Sequence, residues 1–168
     1  PYTEDDYFAH VDGRPRYDGV AAFLSSRGIE VPWGTPADEP TSLTVCGLGN
    51  LKNAEFEAML ASEGIAPYPG SLRLVEHLAA RGIAMAVVSS SKNAPDVLER
   101  AGLSHFFPVV VDGRVAEDEG VPGKPAPDMY LRAADKLGVQ PHQAVVLEDA
   151  LSGVQSGRAG TFRRVVGV

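Results

Sequence analysis

The stretch Ala144–Gly160, AVVLEDALSGVQSGRAG, decides how the rest of the chain is read. Its four apolar residues, Ala144 to Leu147, have the length of a buried strand and stop at two adjacent acids, Glu148 and Asp149. A helix-like segment punctuated by Gly153, Gly157 and Gly160 follows. Parallel strands covered on both faces read as continuous apolar runs, and open α/β sheets bind ligands at the carboxyl ends of their strands. Two carboxylates at such a strand end make a hard, oxygen-rich site of the kind that holds Mg²⁺. Taken alone, the pair fits an acidic helix start equally well, because Asp and Glu are favourable near a helix N-terminus.

The same texture extends upstream. Leu72, Val75 and Ala79 line one face of a helix that Gly82 ends, and Ala84 to Val88 reads as a buried strand. Ala94, Val97, Leu98 and Ala101 share a helical face, Val109 to Val111 is a further strand, and Tyr130, Ala133, Ala134 and Leu137 mark a helix begun by Pro127 and stopped by Gly138. Phe162 to Val166 closes the series as a strand. Strands alternating with helices of about ten residues predict βαβ units, and so an α/β fold with a doubly wound, mostly parallel sheet. The stiff junction Ala66-Pro67-Tyr68-Pro69-Gly70 is the expected boundary. Residues 1–66 read as a small helical domain, and residues 67–168 as the α/β core. In the first part Val20, Phe23 and Leu24 mark one amphipathic helix and Phe56, Met59 and Leu60 another, with the loop VPWGTPADEPTS (31–42) between them. Pro1 stands in what reads as a helix approach.

Two more motifs keep company with the acids. Ser89-Ser90-Ser91-Lys92-Asn93 follows an apolar strand and leads into a helix, where hydroxyls and free amides make an anion site; Asn93 also reads as a plain helix cap ahead of Pro95. Gly123-Lys124-Pro125-Ala126-Pro127-Asp128 holds a lysine on a rigid loop, placed to neutralise a phosphoryl group, although an ordinary surface lysine has the same sequence. It is not a Walker A loop, since Asp118 stands at the first glycine and Pro125 where Ser or Thr would bind metal. His10, His77, His105 and His142 show no ligand spacing, Gly47-Leu48-Gly49 lacks a preceding strand, and no Gly-x-Ser-x-Gly elbow occurs.

Composition narrows the classes. The 168 residues carry a net charge of −7 with acids and bases interspersed, which argues against nucleic acid and anionic membranes as partners. No apolar run approaches the ~20 residues of a transmembrane span. PYTEDDYF is no signal peptide, and the single Cys46 cannot form an internal disulfide, so a cytoplasmic setting is expected.

Strand–Ser89, then GKPAPD (123–128), then strand–Glu148-Asp149-Ala150, in this order, resembles the haloacid dehalogenase superfamily of phosphotransferases over about residues 67–160. The resemblance implies that Ser89 binds the transferring phosphoryl, that Lys124 neutralises its charge, and that Glu148 and Asp149 complete a Mg²⁺ site beneath a helical cap. A narrower likeness is to the β-phosphoglucomutase and sugar-phosphatase group of that superfamily. It implies that Ser90, Ser91, Lys92 and Asn93 form a loop holding a sugar phosphate, with Arg16 (in GRPR, 13–16) as a phosphate-binding cap residue and Lys52 as a cap lysine facing the sugar; a solvated helix face is the other reading of those two. HVDGRPRYDGV (10–20) is also similar to a subgroup attached to a carbohydrate-active enzyme.

One motif of the superfamily is missing. Asp-x-Asp-Gly after an apolar strand supplies the nucleophile, and its nearest approximation here, Val109-Val110-Val111-Asp112-Gly113, reads as a strand and a turn. The chain begins inside what the resemblance makes the cap, so the motif and the central strand carrying it are expected upstream, and the sequence reads as a fragment. A doubly wound sheet lacking that strand would leave two strand edges unpaired. The expected activity is Mg²⁺-dependent phosphoryl transfer on a small phosphorylated sugar through an aspartyl-phosphate, as mutase or phosphatase. The alternative is a catalytically degenerate domain that binds a sugar phosphate or a partner enzyme without turnover.

Overall fold

The computed structural model describes residues 2–168; the helix approach read at Pro1 lies outside them. The chain divides into two compact units, the first ending at Gly64 and the second running Ile65–Val168.

The first unit is helical. Helix α1 (Glu4–His10) starts on a capping box, in which the Thr3 hydroxyl accepts from the Asp6 amide and the Asp6 carboxylate accepts from the Thr3 amide at 2.9 Å. Helix α2 (Arg16–Ser26) packs on both α1 and α3 (Val45–Glu63). Thr44 caps α3 by accepting from the Gly47 amide at 2.9 Å and donates its hydroxyl to Asp38 at 2.6 Å, which ties the preceding loop to the helix start. A Cβ on Gly49 would stand 2.7 Å from the Tyr17 ring, so glycine lets α2 approach α3 closely. Cys46 is fully buried, and burial pushes its thiol pKa up, in keeping with a small core residue.

The second unit alternates helix and strand. Helix α4 (Pro69–Ala80) leads to β1 (Ala86–Val88), α5 (Ala94–Arg100), β2 (Val109–Val111), α6 (Gly113–Glu119), α7 (Asp128–Lys136), β3 (Val145–Glu148), α8 (Leu151–Ala159) and β4 (Arg164–Gly167). Strand β1 pairs with β2, and β3 with β4, all parallel, with Val88 opposite Val111 and Leu147 opposite Val166. Helix α7 packs on β1 and β2, and α8 on β3 and β4. Val111, Met129 and Ala133 form the buried centre, with Ala86, Val88, Val109, Val115, Ala116 and Val121 against it. Removing a side chain such as Met129 from water contributes about 1.5–3 kcal/mol.

The parallel strands expected from the sequence form two two-stranded sheets, with no strand joining them among the described residues. Strand limits also shift. Ala84 and Met85 lie outside β1, because only Ala86 to Val88 find ladder partners in β2. Glu148 is the last residue of β3 rather than the first beyond it. Asp112, read as a turn residue, caps the unanticipated helix α6, its buried carboxylate accepting from the Arg114 amide at 3.1 Å and the Val115 amide at 2.9 Å. Among the described residues, no helix is long and apolar enough to cross a membrane.

Candidate active site

The carboxyl ends of β1 and β3 meet at one side chain. Lys124, on the loop before α7, donates from Nζ to the Val88 carbonyl at 3.3 Å and to Glu148 Oε2 at 2.8 Å. Val88 ends β1 and is followed by Ser89; Glu148 ends β3 and is followed by Asp149. Residues separated by up to 60 positions along the chain are thus drawn to one place at the mouths of both sheets. The Lys124 and Glu148 side chains are only 5% and 9% exposed. An ion pair so far from water persists only when further hydrogen bonds complete it.

Those bonds are present. Glu148 Oε2 also accepts from the Tyr130 hydroxyl, and Oε1 accepts from the Ala150 amide at 3.2 Å. Burial first, and the Glu148 carboxylate second, hold the Tyr130 hydroxyl well above the ordinary phenol pKa, so it stays protonated and donating. The Lys124 ammonium lies 5.1 Å from the centroid of the Tyr130 ring, and that ring meets Phe162 edge-on at 5.9 Å. Helix α8 is shaped to admit the carboxylate: a Cβ on Gly153 would stand 2.5 Å from Glu148 Oε1 and closer still to Cδ and Cγ. Ser156, also on α8, donates its hydroxyl to the Ala126 carbonyl at 2.6 Å and so anchors the loop that presents Lys124. The glycines read as punctuation in AVVLEDALSGVQSGRAG therefore do separate jobs. Gly153 clears the acid, Gly157 lies against Val146 and Val165, and Gly160 makes room for Phe162 and Pro127.

The loop after β1 is folded on its own hydroxyls. Ser89 Oγ accepts from the Ser91 amide and Ser91 Oγ accepts from the Asn93 amide, both at 3.1 Å. The Ser89 amide donates to the Val111 carbonyl at 3.0 Å, which fixes the loop to the end of β2. Asn93 occupies the cap position of α5 without capping through its side chain, correcting that part of the reading; the Ser91 hydroxyl holds its amide instead. Ser90 is half-buried and Ser91 exposed. Lys92 pairs with Glu117 of α6. A Cβ on Gly113 would stand 2.7 Å from the Ser90 carbonyl, so glycine at the start of α6 lets the loop close over it.

Arg16 and Lys52 belong to the first unit. Arg16 opens α2 and donates to Asn53 Oδ1 at 2.6 Å and to Asn50 Oδ1 at 3.5 Å, which joins α2 to α3; Lys52 is exposed on α3.

The two acids of the β3 terminus have unlike surroundings. Asp149 is exposed, whereas both oxygens of Glu148 already accept from protein donors. Among the described residues no three His, Cys, Asp or Glu side chains gather as a metal site. Mg²⁺ is ordinarily held through one or two carboxylates with phosphate oxygens and waters completing its shell. The donor set fits such a partial shell, with Asp149 open to an ion and Glu148, expected beside it as a ligand, bonded to Lys124.

The haloacid dehalogenase-like hydrolase family matches residues 6–161. The chain belongs to that family. This haloacid dehalogenase-like chain is 52% identical over 163 residues to β-phosphoglucomutase of Mycobacterium bovis, covering 97% of the chain and 62% of the relative. It is 36% identical over its whole length to 12% of an uncharacterised glycosyl hydrolase of Mycobacterium tuberculosis. The crystal structure of Rhodobacter sphaeroides CbbY with xylulose-1,5-bisphosphate superposes with a TM-score of 0.73 at 25% identity, covering 99% of the chain and 71% of that protein. The mixed α/β architecture with parallel strands is that of the family. The chain spans less than two thirds of the M. bovis relative's length.

Sequence reasoning missed Tyr130. Its position beside Ala133, Ala134 and Leu137 marks a core-facing helix side, and a hydroxyl on a core-facing ring is the one signal that could have prompted a search for a buried partner.

Proposed function

We propose that the intact protein transfers the phosphoryl group of a small phosphorylated sugar, as a β-phosphoglucomutase-like mutase or a sugar phosphatase. The observation that carries this reading is the Lys124 ammonium joined to the ends of both sheets, to Val88 at 3.3 Å and to Glu148 at 2.8 Å. A fixed cation beside a hydroxyl-rich loop suits a transferring phosphoryl, for which positioning and electrostatic stabilisation supply most of the catalysis. In this reading Lys124 and the Ser89 hydroxyl contact the phosphoryl oxygens. Asp149 and Glu148 would hold Mg²⁺, with Glu148 also keeping Lys124 in place. Bound Mg²⁺ would supply further neutralisation of the phosphoryl charge.

The nucleophile in this reading is an aspartate carboxylate of the intact protein. Its oxygen bonds to phosphorus as the sugar oxygen leaves and takes up a proton. Water or a sugar hydroxyl then attacks phosphorus and regenerates the carboxylate. Ser90, Ser91, Lys92 and Asn93 hold a second phosphate or the sugar. The 52% identity to a β-phosphoglucomutase and the likeness to a protein that binds a sugar bisphosphate support this substrate class. The likeness to part of a glycosyl hydrolase supports an association with a carbohydrate-active enzyme.

The test is to incubate the intact protein with β-glucose 1-phosphate and follow glucose 6-phosphate and inorganic phosphate, with and without Mg²⁺. Mg²⁺-dependent formation of either product is expected. A protein with an intact Asp-x-Asp-Gly strand that binds the sugar phosphate and yields neither product is instead the degenerate domain.

A further inference from the structure

We infer that Tyr130 is a positioning residue, its hydroxyl fixing the Glu148 carboxylate so that the Lys124 ammonium keeps one donor for the phosphoryl group. The inference rests on the phosphotransfer reading and adds to it a residue outside the motifs that carry the family likeness.

The chemistry of the cluster leads to this role. An ammonium has three N–H donors. In Lys124 two of them go to the Val88 carbonyl and Glu148 Oε2, which leaves one. A carboxylate free to turn would follow the ammonium and draw it away from a bound phosphoryl. Glu148 is not free to turn, because Oε1 is held by the Ala150 amide and Oε2 by the Tyr130 hydroxyl. The hydroxyl shares Oε2 with Lys124, so part of that oxygen's accepting capacity is taken by a neutral donor. The ring is fixed independently: it is 7% exposed, packs edge-on to Phe162, and has the Lys124 ammonium 5.1 Å from its centroid. Packing and the cation contact alone would be served by phenylalanine. A buried hydroxyl must find a partner, and its partner here is the carboxylate that holds the lysine.

Tyr130→Phe removes the hydroxyl and keeps the ring. In the intact protein, two readouts separate a positioning role from a structural one. The first is the ¹⁵N-detected ammonium signal of Lys124, assigned by its loss in Lys124→Arg. It is expected to be sharp in the wild type and to broaden in Tyr130→Phe as the side chain gains freedom. The second is steady-state turnover of β-glucose 1-phosphate with Mg²⁺. Here kcat is expected to fall about three- to tenfold, the effect of one hydrogen bond, with KM changing by less than about twofold. An unchanged ammonium signal, an absent wild-type signal, an unchanged kcat, or a change confined to KM would each overturn the inference. If the wild type turns over no sugar phosphate, the phosphotransfer reading falls by itself and the ammonium comparison still decides whether Tyr130 positions Lys124.

Discussion

At the scale of single residues, Glu148 does more than an acid at a strand end is asked to do, and Gly153 is what allows it. The carboxylate lies against α8 where any larger residue would displace it from Lys124, Tyr130 and Ala150. Gly153→Ala is therefore expected to lower stability by about 1–3 kcal/mol, as overpacking does, and to reduce turnover alongside. Denaturant unfolding and a phosphate-release assay on the intact protein check it; a variant equal to wild type in both would mean the carboxylate moves without consequence. Glu148, Asp149, Ser89 and Lys124 stand out in the sequence because each is at the end of an apolar run or on a Pro-stiffened loop. Their unlike surroundings could not. Both acids look alike in the string EDA, and the difference is made by Lys124, the Ala150 amide and Tyr130, 18 residues away, whose helix spacing signals only burial.

At the scale of elements, the helices were legible where an apolar face repeats and invisible where it does not. Helix α6 has seven residues, too few to show a period, and its cap Asp112 looks like a turn residue until the Arg114 and Val115 amides are seen to close on it. Strand limits were blurred because apolar continuity reports burial, whereas β1 ends where its pairing with β2 ends. The unexpected helix is pinned to α7 by Glu119, which accepts from Arg132 at 2.6 Å and from Lys136 at 2.9 Å. Hydrogen bonds from Arg132 and then Lys136 hold its carboxyl at about 2, below the ordinary 4.5. Because the folded value is the lower one, the unfolded chain binds more protons between them, and this contribution to stability is present above about 4.5 and lost as pH falls toward 2. Thermal unfolding of Glu119→Gln followed across that window is expected to show a shallower acid slope than the wild type. Parallel slopes would show that the α6–α7 link does not titrate as described.

At the scale of the whole molecule, the second unit is two parallel pairs, β1–β2 and β3–β4, whose carboxyl ends share Lys124. Parallelism was readable from the unbroken apolar runs. Hydropathy does not report which strands pair; the hydrogen bonds join β1 to β2 and β3 to β4. Without Lys124, Glu148 would be left as a buried carboxylate facing only Tyr130 and the Ala150 amide, and the strand ends would lose their common cation. The proposed phosphotransfer requires this one ammonium to make the phosphoryl site. Its most direct test is the kcat of Lys124→Ala for β-glucose 1-phosphate with saturating Mg²⁺, on intact protein shown by circular dichroism to be folded. A loss of about a hundredfold or more is expected, as for other single groups that stabilise transition-state charge. A folded Lys124→Ala enzyme turning over at the wild-type rate would contradict it.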